Sequence, residues 1–243
     1  MLSNLSISVP QASLAVTILG STIGTYLALS PPNPSPDSPS SEVPSDSIHR
    51  LNITSRHTGK IALAPFGLLA LHTAGLAITH PEIPSFLLRN GAENGLEIGL
   101  ITWSTATAIP LALILCAGIP LRLVSYSSLG KSFTFALTLP DRLQTNGIYR
   151  YVQHPSYTGL VVLVLSNIAL LCRTDGVVSC WVPPSWYPVF PYLGWVSTSI
   201  GVGIFLFGVW TRVRQEERML RANFGVDWEE WHSRTPRFLP WKF

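Results

Sequence analysis

Apolar residues in this chain fall in long uninterrupted runs, not in the alternation of a strand or the stripe of a surface helix. Five runs stand out, at 12–29, 59–79, 96–121, 156–172 and 187–210. Each is close to the roughly 20 residues that cross a hydrocarbon core as a helix. The pattern predicts an all-α, polytopic membrane protein with about five transmembrane helices. Pro65 and Pro110 sit inside the second and third runs, where neighbouring helices can re-satisfy the freed carbonyls. The stretch Gly201-Val202-Gly203 in the fifth run is small enough for close helix packing.

The segments between the runs set the domain organisation. Residues 30–47, SPPNPSPDSPSSEVPSDS, are too rich in Pro and Ser to build a core. They predict a disordered linker over 30–58, between an N-terminal transmembrane segment, 1–29, and a membrane domain, 59–243. The first run lacks a basic leading region and a convincing small-residue cleavage site, so it reads as a retained span.

Basic residues are distributed unevenly. Arg50, Arg56 and Lys60, then Arg122, Lys131, Arg142 and Arg150, then Arg212, Arg214, Arg218, Arg221, Arg234, Arg237 and Lys242 fall in alternate segments. The opposite loops hold Arg89 and Arg173. Positive charge marks the cytosolic side, so the expectation is an odd number of spans with a cytosolic C-terminus.

Composition agrees. Charged residues make up 12% of 243, about half the usual share, and mean hydropathy is +0.33. A net charge of +3 carried in loops between apolar runs is not a nucleic-acid footprint. Cys116, Cys172 and Cys180 have no metal-ligand spacing. They read as ordinary thiols, although Cys172 and Cys180 fall on one side and could pair. No phosphate-loop, dinucleotide-binding or nucleophile-elbow motif is present.

Two polar islands interrupt this pattern. The first is GIYRYVQHPSYTGL, 147–160. Proline suits the first turn of a helix and pushes its predecessor out of the α region. His154 is therefore placed at the cap and Pro155 at the start of the fourth span. Such a start carries free N–H groups and a partial positive charge, a seat for a carboxylate or phosphate. Gly147 and Gly159 allow close approach of ligand or backbone. The alternative is that His154, Tyr149, Tyr151 and Tyr157 are interfacial anchors.

The second island is the tail, WTRVRQEERMLRANFGVDWEEWHSRTPRFLPW, 210–241. On a helix Arg212 and Glu216 share a face, and Val209, Val213, Leu220 and Phe224 form an apolar edge. The alternative is a solvated helix along the membrane surface, with Trp228 and Trp231 dipping in. Both islands are cytosolic in the derived topology and adjoin consecutive spans. They predict a shared helical pocket built from 129–160 and 209–240.

The islands resemble the isoprenylcysteine carboxyl methyltransferase family of endoplasmic reticulum membrane enzymes. LGKSF with LQTNGIYRYVQHPSYTG, 129–159, resembles its R-H-P-x-Y-x-G element. RVRQEERML, 212–220, resembles its R-[IV]-x-x-E-E-x-x-L, and FGVDWEEWHSRTPRFLP, 224–240, resembles its ending. The likeness covers roughly 96–243. Gln153 departs from it, standing where the family usually has Arg.

The resemblance implies an S-adenosyl-L-methionine site walled by Tyr149, His154, Pro155, Ser156 and Tyr157. Asp141, Arg142, Leu143 and Gln144 would contact the cofactor largely through backbone, and Glu216 would bind its amino group. Arg212 would hold the substrate carboxylate. The implied activity is methylation of the C-terminal prenylcysteine of CaaX-processed proteins, small GTPase-like or pheromone-like, at the endoplasmic reticulum membrane, with the prenyl chain in lipid. Phospholipid methyltransferases and some sterol reductases share parts of the pattern. A phospholipid or other small-lipid methyltransferase is thus the nearest alternative, and a non-catalytic membrane scaffold a more distant one.

Overall fold

The computed structural model describes residues 8–33, 56–130, 133–135 and 139–239, with side chains of the second helix described from Leu63. Among the described residues every regular element is helical. The expected linker falls, over 34–55, outside the described residues, as do Arg50, Lys131 and Lys242.

Helix α1, Val9–Leu29, begins at a capping box: the Ser8 hydroxyl accepts from the Gln11 amide and the Gln11 side chain accepts from that of Ser8. Helix α2, Arg56–Thr79, contains Pro65, and its first turn takes in residues expected in the linker. A short turn of helix, α3, spans Ser85–Leu88. Helix α4, Thr105–Leu113, capped by Ser104, runs through a wide π-helical turn, Ile114–Gly118, into α5, Ile119–Leu129. The third span therefore ends eight residues later than its apolar run, at Leu129 and not 121, and Arg122 lies on a helix, not in a loop. Helix α6 is Pro155–Leu171. Helix α7, Phe190–Phe224, is 35 residues long, about 50 Å. It therefore outruns a bilayer core of roughly 30 Å and carries the expected polar tail onward as helix. Gly225, with φ of +50°, turns the chain into α8, Val226–Arg234; a side chain there would be strained.

Three helical stretches, Val9–Leu29, Ile98–Leu129 and Phe190–Phe224, are long and apolar enough to cross a membrane. Leu63–Thr79 and Pro155–Leu171 are shorter apolar helices. These stretches correspond in order to the five apolar runs.

Close packing of apolar side chains holds the bundle together. Leu14, Ile18 and Ala28 of α1, Ala70 and Ala77 of α2, Leu111 of α4, Ile114 of the π-helical turn, and Leu163 and Leu170 of α6 form one cluster. The α5–α6 approach is close because two positions lack side chains. A Cβ at Gly159 would lie 3.0 Å from Arg122 Cγ, the Gly118 carbonyl and Leu121 Cβ, and one at Gly118 would lie 2.7 Å from Leu163. Gly159 thus serves close backbone approach between helices, one of the two uses expected of it. A second cluster, Leu76, Leu96, Ile101, Val177 and Cys180, closes one end of the bundle. The small residues of α7 make no such contact: a Cβ at Gly201 or Gly203 would meet nothing within 4 Å. Trp195, Ile200, Ile204 and Phe207 are exposed beside them, as suits a lipid-facing surface. The three cysteines carry free thiols.

Candidate functional site

At the other end of the bundle the two polar islands meet. His154 caps α6 and Pro155 is its first residue, as the Pro rule predicts. The chain before it and the chain after α8 are bonded to each other. The Gln153 amide donates to the Pro236 carbonyl and the His154 amide to the Arg237 carbonyl, both at 2.9 Å. The Thr158 hydroxyl donates to the Phe238 carbonyl at 2.9 Å, and the Trp231 indole donates to the Tyr149 carbonyl at 3.1 Å. Gln153 is buried, and its side-chain nitrogen donates to the Thr235 and His232 carbonyls while its oxygen accepts from His232 Nδ1 at 2.8 Å. The residue that departs from the family pattern is a neutral latch between the islands.

Their packing decides against the interfacial alternative for most of the aromatics. Tyr149, Trp228 and Trp231 form a buried cluster with Leu143, Leu220 and Phe224 packed against it. Trp228 stacks on His232 at 4.3 Å between ring centroids. Of the three tyrosines in the first island, Tyr151 is the exposed one, as an interfacial anchor should be.

A cavity of about 350 Å³ opens between the islands, within the roughly 300–1,000 Å³ of small-molecule sites. Arg142, Leu143, Gln144, Tyr149, His154, Pro155, Ser156, Tyr157, Arg212 and Glu216 all line it. Asp141 is exposed and is not among the lining residues. Phe133, Phe135, Leu160 and Met219 add apolar wall.

Arg212 and Glu216 reach the cavity from α7, one helical turn apart. Arg212 is buried and its Nη2 donates to the Phe135 carbonyl at 2.6 Å. Tyr157, Arg212 and Glu216 line the same cavity. Burial pushes the Tyr149 phenol well above its ordinary value, and the Glu216 carboxylate pushes it the same way. That phenol stays neutral.

Glu217 faces elsewhere. One residue on from Glu216, its side chain turns about 100° round the helix and is buried behind the cavity. It accepts from Arg237 Nε at 2.7 Å, with Arg214 at 3.7 Å and His154 Nε2 at 3.5 Å. The last contact is longer than a hydrogen bond, and His154 Nε2 has no hydrogen-bond partner. Burial, then the nearby Arg237, hold the His232 ring below its ordinary value. The bond to the Gln153 oxygen requires a proton on Nδ1, and Arg237 Nη2, 3.4 Å from Nε2, favours leaving that nitrogen unprotonated.

Arg122 is a charged lining residue that lies outside both islands. It is buried on α5, donates from Nε to the Ala28 carbonyl at 3.0 Å and from Nη1 to the Ser156 hydroxyl at 2.7 Å. Its guanidinium lies over the rings of Tyr126 and Phe135, at 4.9 and 5.4 Å. Asn33, at the start of the expected linker, donates to the Gly130 and Phe133 carbonyls at 2.8 Å, pinning the cavity rim.

The arrangement offers a zwitterionic ligand one acidic group, buried guanidinium groups, a helix start and two aromatic faces. That donor set fits S-adenosylmethionine, whose carboxylate, ammonium and sulfonium need complementary neighbours.

Comparison with known proteins agrees with the sequence resemblance. Residues 110–190 match the model of the isoprenylcysteine carboxyl methyltransferase (ICMT) family. A probable protein-S-isoprenylcysteine O-methyltransferase of Oryza sativa subsp. indica is 25% identical over 124 residues, 49% of this chain and 54% of that protein. The relative of the same name from subsp. japonica matches to the same extent. The chain thus spans about half the length of the curated relatives it matches. No solved structure matches. These matches bear out the resemblance to the ICMT family and, with the apolar helices, its membrane character.

Proposed function

We propose that this protein is an S-adenosylmethionine-dependent protein-S-isoprenylcysteine carboxyl O-methyltransferase. In this reading it crosses the endoplasmic reticulum membrane five times, with the cavity and C-terminus in the cytosol. Its substrates are prenylated CaaX-processed proteins whose prenyl chain stays in the bilayer.

One observation carries the proposal. Tyr149, His154 and Tyr157 from the first island and Arg212 and Glu216 from the second line a single cavity. Bound there, S-adenosylmethionine supplies a methyl group made electrophilic by its sulfonium. A carboxylate is already anionic at neutral pH, so the protein need not provide a general base. What it must provide is alignment and dehydration, and alignment supplies on the order of 7–11 kcal/mol. Arg212 offers the planar fork that fixes a carboxylate oxygen. Glu216 suits the donor's ammonium, the start of α6 its carboxylate, and the Tyr149 and Tyr157 rings its sulfonium or adenine.

The direct test incubates membranes containing the protein with a farnesylated cysteine analogue, or with phosphatidylethanolamine, and methyl-labelled donor. The expected product is a base-labile methyl ester on the prenylcysteine. Label on the lipid amine, or no ester, overturns the proposal.

A further inference from the structure

The cavity contains a positive charge that neither island supplies. Arg122 is 5% exposed, and its partners are the Ala28 carbonyl, the Ser156 hydroxyl and the rings of Tyr126, Phe133 and Phe135. All are neutral, and among the described residues no carboxylate forms an ion pair with it. A buried charge held only by neutral groups retains much of its desolvation cost, which a neighbouring anion relieves. Its Nη1 bonds the second residue of α6 at 2.7 Å. The guanidinium therefore stands beside the free N–H groups and positive end of a 17-residue helix. Three anion-favouring features converge on one wall of the cavity: a desolvated guanidinium, a hydroxyl and a helix start.

We propose that Arg122, Ser156 and the first turn of α6 form a carboxylate subsite that takes the amino-acid carboxylate of the methyl donor. This leaves Arg212, on the α7 wall, for the carboxylate that is methylated. The inference rests on the reading of the cavity as a donor site and deepens it. It explains why two buried guanidiniums line one small cavity: each serves a different carboxylate. The Arg122 bonds to Ala28 and Ser156 also hold α1, α5 and α6 in place, so a simple loss of activity in a variant decides nothing.

The test uses equilibrium binding to full-length protein in detergent. The probes are S-adenosylhomocysteine, which carries the amino-acid carboxylate, and 5′-methylthioadenosine, which lacks it. The variants are Arg122→Gln and Arg122→Lys. Losing one charge-assisted contact corresponds to about 10- to 100-fold in affinity. Arg122→Gln is expected to weaken S-adenosylhomocysteine by that factor and leave 5′-methylthioadenosine within about twofold, with Arg122→Lys between. Parallel loss of both ligands assigns Arg122 to scaffolding and overturns the subsite. Unchanged binding of both also overturns it while leaving the donor site standing. Wild-type protein that binds neither nucleoside removes the donor site and the subsite together.

Discussion

The imidazole of His154 stands 3.5 Å from the carboxylate of Glu217, not from that of its neighbour Glu216. The two adjacent glutamates are divided by the turn of one helix. Glu216 lines the cavity, while Glu217 lies behind it and gathers His154, Arg214 and Arg237. They should fail in different ways when replaced.

Glu217→Ala removes a buried carboxylate from three cationic or titratable partners. Breaking such a buried pair costs on the order of 3 kcal/mol. Thermal unfolding in detergent should show a clear fall in Tm. A Tm unchanged from wild type would mean that this cluster does not hold the tail to the start of α6.

Glu216→Ala should leave stability close to wild type, because this side chain borders an open cavity. Its cost falls on the ligand, with donor-analogue affinity lowered about 10- to 100-fold. Isothermal titration with S-adenosylhomocysteine measures it, and unchanged affinity would return the scaffold alternative to the front.

Gly159→Ala tests the packing of α5 on α6. The added Cβ meets a backbone oxygen at 3.0 Å, which cannot swing aside, so overpacking should cost about 1–3 kcal/mol. The readout is Tm, expected to fall; a gain in Tm would show that the helices have slack at this position.

Acid should loosen the tail through His232. Its folded-state value is lowered, so the unfolded chain takes up the proton first. The resulting stability is present above about pH 6.5 and is lost as pH falls below it. Unfolding midpoints measured from pH 7.5 to 5.5 should decline in the wild type and decline less in His232→Gln. Parallel slopes would clear His232 of this role.

Much of this was legible in the chain. The five apolar runs reappear as helices in order because each is long, continuous and closed by Pro, Gly or polar residues. His154 and Pro155 were placed correctly because a proline at a helix start follows from its missing N–H. Arg122 was not legible. Beyond the apolar run, Ser125, Ser127 and Ser128 break the hydrophobic pattern, so a charge there reads as a loop, whereas the helix continues to Leu129 and buries it. Gln153 was opaque for a related reason. Its partners are carbonyls and a ring some 80 residues away, and such contacts leave no local periodicity. The spacing of four did put Glu216 on the face of Arg212, and both line the cavity; the buried ion cluster of Glu217 was opaque because its partners His154 and Arg237 are distant in the chain.

In the proposed site Arg212 serves the acceptor and not the donor. The most direct measurement pairs S-adenosylhomocysteine binding with methyl transfer to a farnesylated cysteine analogue in Arg212→Ala. The expected result is donor affinity within about threefold of wild type and turnover reduced about 100-fold or more. Donor affinity lost in step with turnover, or turnover preserved, contradicts it.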